Sequence, residues 1–361
     1  MNKRVVLFTL LLSTAQLFAQ QLPDPHFENW SDKFKDEPQL ADWHGSNVSQ
    51  IGLKFVFMKQ QPGRTGKCAY VRNLSVGALG ITAVGPGYIT LGEPWQYLKG
   101  LVINSATAGT TGGITWKYRP DTLAVWIKRT GPATDKEDFH VLYYSWAGTS
   151  KGSQYKNKVG KPTATERVNE ESDIRLMTDG NEFGVDQKAQ QVAEGWLRAR
   201  AKYEEWTLVK VPIYYCSNAR PQMCNVIFSS GNYPAFRAND GLNDANDIYV
   251  DDVELIYSSK IDKLLIGGVE WKAFDPNSDK VQTVRLADLK IEKAEDLKIE
   301  ALRGIGALTN IKGKTAKFNG RKLDSTEMTV VPGEVNGKPW EITVKAEDGS
   351  SVRTYKVKIE K

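Results

Sequence analysis

The 361-residue chain reads as an all-β protein of sandwich type, on three observations. Short runs with β-type alternation recur along most of its length, Gly, Pro, Asn and Asp separate them, and few segments carry a helical spacing of apolar residues. The runs are GLKFVFMK (52–59), CAYVRN (68–73), LAVWIK (123–128), FHVLYYSW (139–146), WTLVKVPIYY (206–215), CNVIFSS (224–230) and DIYVDDVELIY (247–257). Short, evenly spaced strands of this kind suit two packed sheets.

The first twenty residues, MNKRVVLFTLLLSTAQLFAQ, combine Lys3 and Arg4, an apolar run from Val5 to Leu12, and small residues up to Ala19. That is the pattern of a secretory signal peptide over residues 1–19, which predicts an exported protein, periplasmic, at the cell surface or secreted. Gln20 and Gln21 stand where a lipid anchor would need a Cys, so no anchor is expected. No segment approaches the roughly 20 apolar residues of a membrane-spanning helix. Without Lys3 and Arg4, 46 Lys and Arg face 43 acids, an excess of three that gives no footprint for a nucleic-acid partner.

Cys68, Cys216 and Cys224 are the three cysteines. A hairpin disulfide between Cys216 and Cys224 is one reading in an oxidising compartment, and buried free thiols are the other. The three histidines, His26, His44 and His140, give little support for a zinc site, and no HExxH or GxSxG motif occurs.

The stretch GGITWKYRPDTLAVWIKR (112–129) reads as strand, turn, strand. Ile114, Trp116 and Tyr118 share one side of the first run, and Leu123, Val125 and Ile127 share one side of the second. Trp126 then lies opposite the apolar row with Ala124 and Lys128. Residues 147–170 are polar and read as a long surface loop. The segment 186–203 admits a helix, but a strand near QQVAEG (190–195) followed by a helical turn is preferred. Past Ser259, aromatic residues thin out and alternating Lys/Glu/Ile/Val takes over, marking a second domain over 259–361 after a first over 20–258. Each is expected to have its own core and to fold alone. The size and strand count of the second suit an immunoglobulin-like sandwich lacking the disulfide.

In DIYVDDVELIY, strict alternation forces either Asp251 or Asp252 toward an apolar row, where a carboxylate needs a partner. Two partners are open. One is a structural calcium ion shared with Glu28 of LPDPHFENW, since calcium takes hard oxygen ligands. The other is a set of backbone N–H groups at a strand end. No organic cofactor is expected.

LPDPHFENW, GGITWKYRPDTLAVWIK and NDIYVDDVELIY, with ESDIRL (171–176), YEEWTLVKVPIYY and CNVIFSSG between them, resemble the "putative carbohydrate metabolism domain" family of secreted bacterial proteins over residues 22–258. The resemblance implies a jelly roll similar to carbohydrate-binding modules and a role in glycan handling, and it brings no catalytic residue. VKAEDGSSVRTYKVKIEK resembles the closing hairpin of bacterial immunoglobulin-like and cadherin-like repeats, which serve as spacers or dock on other cell-surface proteins. Sugar recognition stacks an aromatic ring on a pyranose and orients its hydroxyls with polar groups. The expected ligand-contacting set is therefore Trp126 with Arg119, Asp121, Lys128 and Arg129. Non-catalytic glycan binding is the favoured function. A glycoside hydrolase with a carboxylate pair and a structural or adhesive surface protein are the alternatives.

Overall fold

The computed structural model describes residues 20–34, 37–50, 53–78, 81–98, 107–131, 139–148, 158–159, 174–177, 180–183, 189–200, 202–231, 245–293, 297–309 and 315–361. All regular elements among them are β. No helix there is long and apolar enough to cross a membrane. The signal-peptide segment and most of the 147–170 loop lie outside the described residues.

Eight strands make the N-terminal sandwich: β1 (Lys67–Arg72), β2 (Tyr88–Thr90), β3 (Thr122–Arg129), β4 (Phe139–Ala147), β5 (Gln190–Ala199), β6 (Tyr203–Pro212), β7 (Met223–Ser229) and β8 (Asp247–Ile256). One sheet runs β6-β3-β8-β1, edged by Met58–Pro62. The other runs β5-β4-β7-β2, edged by Tyr214–Tyr215 and His44–Gly45. β1 pairs β8, β2 pairs β7, β3 pairs β6 and β4 pairs β5, all antiparallel. That nesting is a long hairpin rolled over on itself, a jelly roll.

The two inner faces share one core. Leu123, Val125 and Ile127 of β3, Val209 and Val211 of β6, and Ile248, Val250, Val253 and Leu255 of β8 meet Val141 and Tyr143 of β4 and Val226 and Phe228 of β7. Trp116 and the Phe27, Trp43, Phe228 aromatic cluster complete it. Period-two alternation explains β3 directly, since the three apolar positions share a face. β5 is a strand throughout, with no helical turn after Gly195. Its inner positions Val192 and Ala193 pack on β4.

Strict alternation fails in β8. Asp252 has φ of 46°, and the pairing with β3 slips between Ala124 and Trp126. This β-bulge adds one residue, so Ile248 and Val250 before it and Val253 and Leu255 after it all face inward. Neither aspartate is driven into the apolar row.

The C-terminal unit is a smaller sandwich. β9 (Lys263–Ile266), β10 (Val269–Glu270), β11 (Gln282–Arg285), β12 (Ile299–Thr309), β13 (Thr315–Lys322), β14 (Met328–Val331), β15 (Trp340–Lys345) and β16 (Val352–Glu360) form sheets β10-β9-β12-β13 and β11-β16-β15-β14. β11 runs parallel to β16, and the hairpin β12–β13 stays within one sheet. Leu264, Ile266, Ile342, Val344, Val357 and Ile359 fill the core around Trp271, Phe274 and Tyr355. Gly349, at φ of 76°, closes the turn before β16, where only glycine is unstrained.

The two units meet along a polar seam. Tyr214 and Tyr215 lie against β12 at Gly306 and Gly304; a Cβ on either glycine would fall on a tyrosine ring, and Gly304 has φ of 75°. Tyr215 donates to Pro120 O at 2.6 Å, and Asn218 Oδ1 accepts Lys322 N at 2.7 Å.

Candidate functional site

Trp126 lies on the outer face of the first sheet, half-buried, and its strand neighbours across the sheet are Leu208 and Asp251. The Arg64 guanidinium sits 4.3 Å over its ring. Arg64 Nε donates to Asp252 Oδ2 at 2.8 Å, and His26 Nδ1 lies 2.6 Å from Asp252 Oδ1. Burial alone would raise the Asp252 carboxyl; the hydrogen bonds from His26 and Arg64 outweigh it and hold it below the usual carboxylate range. Trp126 is thus roofed by an arginine that is itself held in place.

One position along, the same face carries an aromatic row. Lys128 of β3 opposes Tyr249 of β8, Tyr249 opposes Tyr70 of β1, and Tyr70 opposes Lys59. The Tyr70 and Tyr249 rings are 4.7 Å apart, Trp206 of β6 meets Tyr249 edge-on at 6.4 Å, and Lys128 Nζ lies 6.0 Å from the Tyr249 ring centre. All are half-buried, so each ring rests on the sheet with part of its surface in solvent. The acids next to the rings are engaged. Asp247 accepts from Thr130 N, Thr130 Oγ1 and Gly131 N, at 2.8–3.1 Å. Asp251 accepts Arg64 N at 2.7 Å and Asp252 N at 2.8 Å.

The remaining members of the expected set lie elsewhere. Arg119 is 2% exposed at the seam between the sandwiches, bonded to Asp324, Glu327 and Glu347. Asp121 is there too, accepting Ser258 N at 2.7 Å with Arg303 Nε at 3.6 Å, and burial pushes its carboxyl up to about 6. Arg129 is fully buried at the end of β3, donating to Asn246 Oδ1 and stacked on Phe139. The physical reasons are simple. Arg129 has the inward parity of Ile127, and the 119–121 turn is the edge on which the second sandwich rests. These three residues cannot contact a ligand on the outer face, which corrects that part of the expectation. Lys128 does share the face of Trp126.

Around the expected cation site, Glu28 Oε1 accepts Lys67 N at 2.8 Å, and Val253 N donates to Pro25 O at 2.8 Å. Glu28 and Asp251 flank the 63–67 turn, Asp251 against Gly63 and Glu28 against Gly66. Burial pushes the Asp251 carboxyl up to about 6, against the pull of its backbone donors. Among the described residues no group of three His, Cys, Asp or Glu is arranged to hold a metal ion. The observed partners of Glu28, Asp251 and Asp252 are backbone N–H groups and cationic side chains. The cysteines are free, Cys68 and Cys224 buried and Cys216 exposed.

The outer face of the second sheet has a different character. Glu194 of β5 accepts from Gln191 Nε2 at 2.8 Å and opposes Tyr144, whose hydroxyl also bonds it. Burial raises its carboxyl. Tyr144, Trp146 and Met223 form a buried cluster with Trp196 at its margin, and the indole N–H groups of Trp146 and Trp196 have no hydrogen-bond partner among the described residues.

Tyr70, Tyr249, Trp206 and Glu194 escape a reading of the sequence because cross-strand register, not local pattern, assembles them. The nearest signal was the alternation of CAYVRN and DIYVDD, which puts one tyrosine of each on the outward parity.

No family model matches the chain, and no curated protein matches it. Among solved structures, two proteins each described as a "putative glycoside hydrolase" are similar. The one from Bacteroides thetaiotaomicron is 16% identical, covers 65% of this chain and 71% of its own, and has a TM-score of 0.37. The one from Bacteroides vulgatus is 16% identical, with 55% and 77% covered and a TM-score of 0.35. A family 11 carbohydrate-binding module from Clostridium thermocellum, solved with a β-1,3-1,4-mixed-linked tetrasaccharide, is 12% identical, covers 63% of this chain and 93% of its own, and has a TM-score of 0.26.

Proposed function

We propose that the N-terminal jelly roll is a glycan-binding, non-catalytic domain whose platform is the outer face of the sheet β6-β3-β8-β1. The observation that carries the reading is the row of partly exposed rings Trp206, Tyr249 and Tyr70, with Lys128 on the strand between Trp206 and Tyr249 and Lys59 beyond Tyr70. A pyranose presents an apolar face of axial C–H groups, and rings held rigid by a sheet meet it at small entropic cost. Trp126 is the roofed neighbour of that row, with Arg64 as a donor at its edge. Export through residues 1–19 and a spacer or docking role for the C-terminal sandwich, of immunoglobulin-like type, belong to the same reading.

A glycan array probed with residues 20–361 tests it. Binding that Tyr249→Ala weakens by at least about tenfold, at unchanged melting temperature, supports the platform. Binding untouched by that change overturns it.

Glu194 favours a second reading. Its carboxyl is raised by burial and sits beside Tyr144, the condition in which a carboxylic acid protonates a leaving group. Release of reducing sugar that Glu194→Gln abolishes is the outcome that would support hydrolysis instead.

A further inference from the structure

Resting on the platform reading, we infer that the ligand is an acidic glycan, one whose pyranose units carry carboxylate or sulfate. The charges that would recognise it share a single face. Lys128 lies on the strand between Trp206 and Tyr249, Lys59 lies beyond Tyr70, and Lys210 opposes Ala124 on the same face, with Glu254 on the other side of Ala124. Among the described residues none of these three ammonium groups forms an ion pair. The nearby carboxylates are otherwise used: Asp247 and Asp251 accept backbone N–H groups, and Asp252 is shared by Arg64 and His26. Arg64 spends Nε on Asp252 and sits 4.3 Å over the Trp126 ring, which leaves its terminal nitrogens as donors at the edge of the row. Glu254 is the exposed acid of β8, at the far end beside Ala124.

A platform for neutral sugars needs hydroxyl-binding amides and carboxylates pointing outward. Here the acids beside the rings, Asp247, Asp251 and Asp252, are taken up by N–H groups, Arg64 and His26, Glu254 stands two rungs away opposite Ala124, and Lys128 and Lys59 next to the rings have no ion-pair partner among the described residues. Anionic units therefore gain Coulomb attraction as well as stacking, while neutral ones gain stacking alone. Carboxylate and sulfate share this chemistry, so the source is a matter for the test.

The experiment is titration calorimetry of residues 20–361 with an oligogalacturonate, its fully methyl-esterified twin, a carrageenan oligosaccharide, its desulfated twin, and a single-stranded oligonucleotide. The proposal predicts tighter binding of at least one charged sugar than of its neutral twin, with the tighter arm naming carboxylate or sulfate. That preference, the ratio of charged-sugar to neutral-twin affinity, shrinks as salt rises and falls roughly two- to fivefold with each of Lys128→Gln and Lys59→Gln. Equal affinity for charged and neutral twins, or tighter binding of the oligonucleotide, overturns the acidic-glycan inference while leaving the platform standing. No binding of any sugar here or on the array overturns the platform reading itself.

Discussion

Arg119 Nη2 donates to Glu327 Oε2 at 2.8 Å across the seam between the two sandwiches, with both side chains about 1% exposed. Asp324 and Glu347 take its other donors, Arg220 bonds the same two acids, and Arg321 holds Glu327 from the other side through two bonds of 2.7 Å. A buried guanidinium is tolerated only while its acids stay in place.

Arg119→Ala should therefore lower stability by about 3–5 kcal/mol, because Glu327 and Glu347 lose a buried partner. For the same reason residues 20–258 alone should melt well below the full chain, which runs against the expectation of two freely independent domains. Calorimetric melting of the full chain, the variant and the two pieces checks this. A 20–258 piece that melts at the full chain's temperature would contradict it.

Trp116 and Trp126 should separate in a stability measurement. Trp116 is 3% exposed within the core and edge-on to Tyr118, so Trp116→Ala should cost about 3–5 kcal/mol. Trp126→Ala loses partial burial and the Arg64 contact, about 1–2 kcal/mol. Urea midpoints at constant slope check the pair, and equal losses would mean that Trp126 is core.

Much of this contrast was legible in the sequence. Leu123, Val125 and Ile127 announce an inward face by alternation alone, which fixes Trp126 as outward. The bulge at Asp251 and Asp252 was not legible, because an inserted residue leaves no mark in a hydrophobic pattern except a break in phase. Arg119, Asp121 and Arg129 are close to Trp126 in sequence, yet parity turns one inward and the second sandwich covers the others. The ring row needed the pairing of β1, β8, β3 and β6, whose residues are up to 179 positions apart between Tyr70 and Tyr249. The C-terminal unit was readable as a sandwich, but the clustering of Arg303 and Arg321 with Asp121 across the seam was not.

Stability should fall as pH rises from about 4 to about 6. Asp251 and Asp121 each have a carboxyl pushed by burial from 3.8 to about 6 in the fold. In that window the folded state keeps protons that the unfolded state has released, so each contributes stability that is complete below pH 4 and gone above pH 6. Asp252 and Glu327 are held below their usual range and act with opposite sign, losing their contribution only at lower pH. Asp251→Asn should flatten the slope between pH 4 and 6 whatever its absolute effect. Parallel wild-type and variant curves would contradict the assignment.

Chelation decides between the two partners weighed for Glu28, Asp251 and Asp252. The backbone donors Lys67 N, Arg64 N and Asp252 N predict a melting temperature that EDTA and added calcium leave unchanged. A drop with EDTA that calcium restores, and that Asp251→Ala removes, would return the site to a cation.

The indole N–H signals of the protein offer the most direct measurement of the central claim. In a titration with an oligosaccharide found on the array, the platform reading predicts that the signals of Trp206 and Trp126 shift together while those of Trp116, Trp146 and Trp196 stay in place. Shifts confined to Trp146 and Trp196 would put the ligand on the opposite sheet beside Glu194, and would contradict the account.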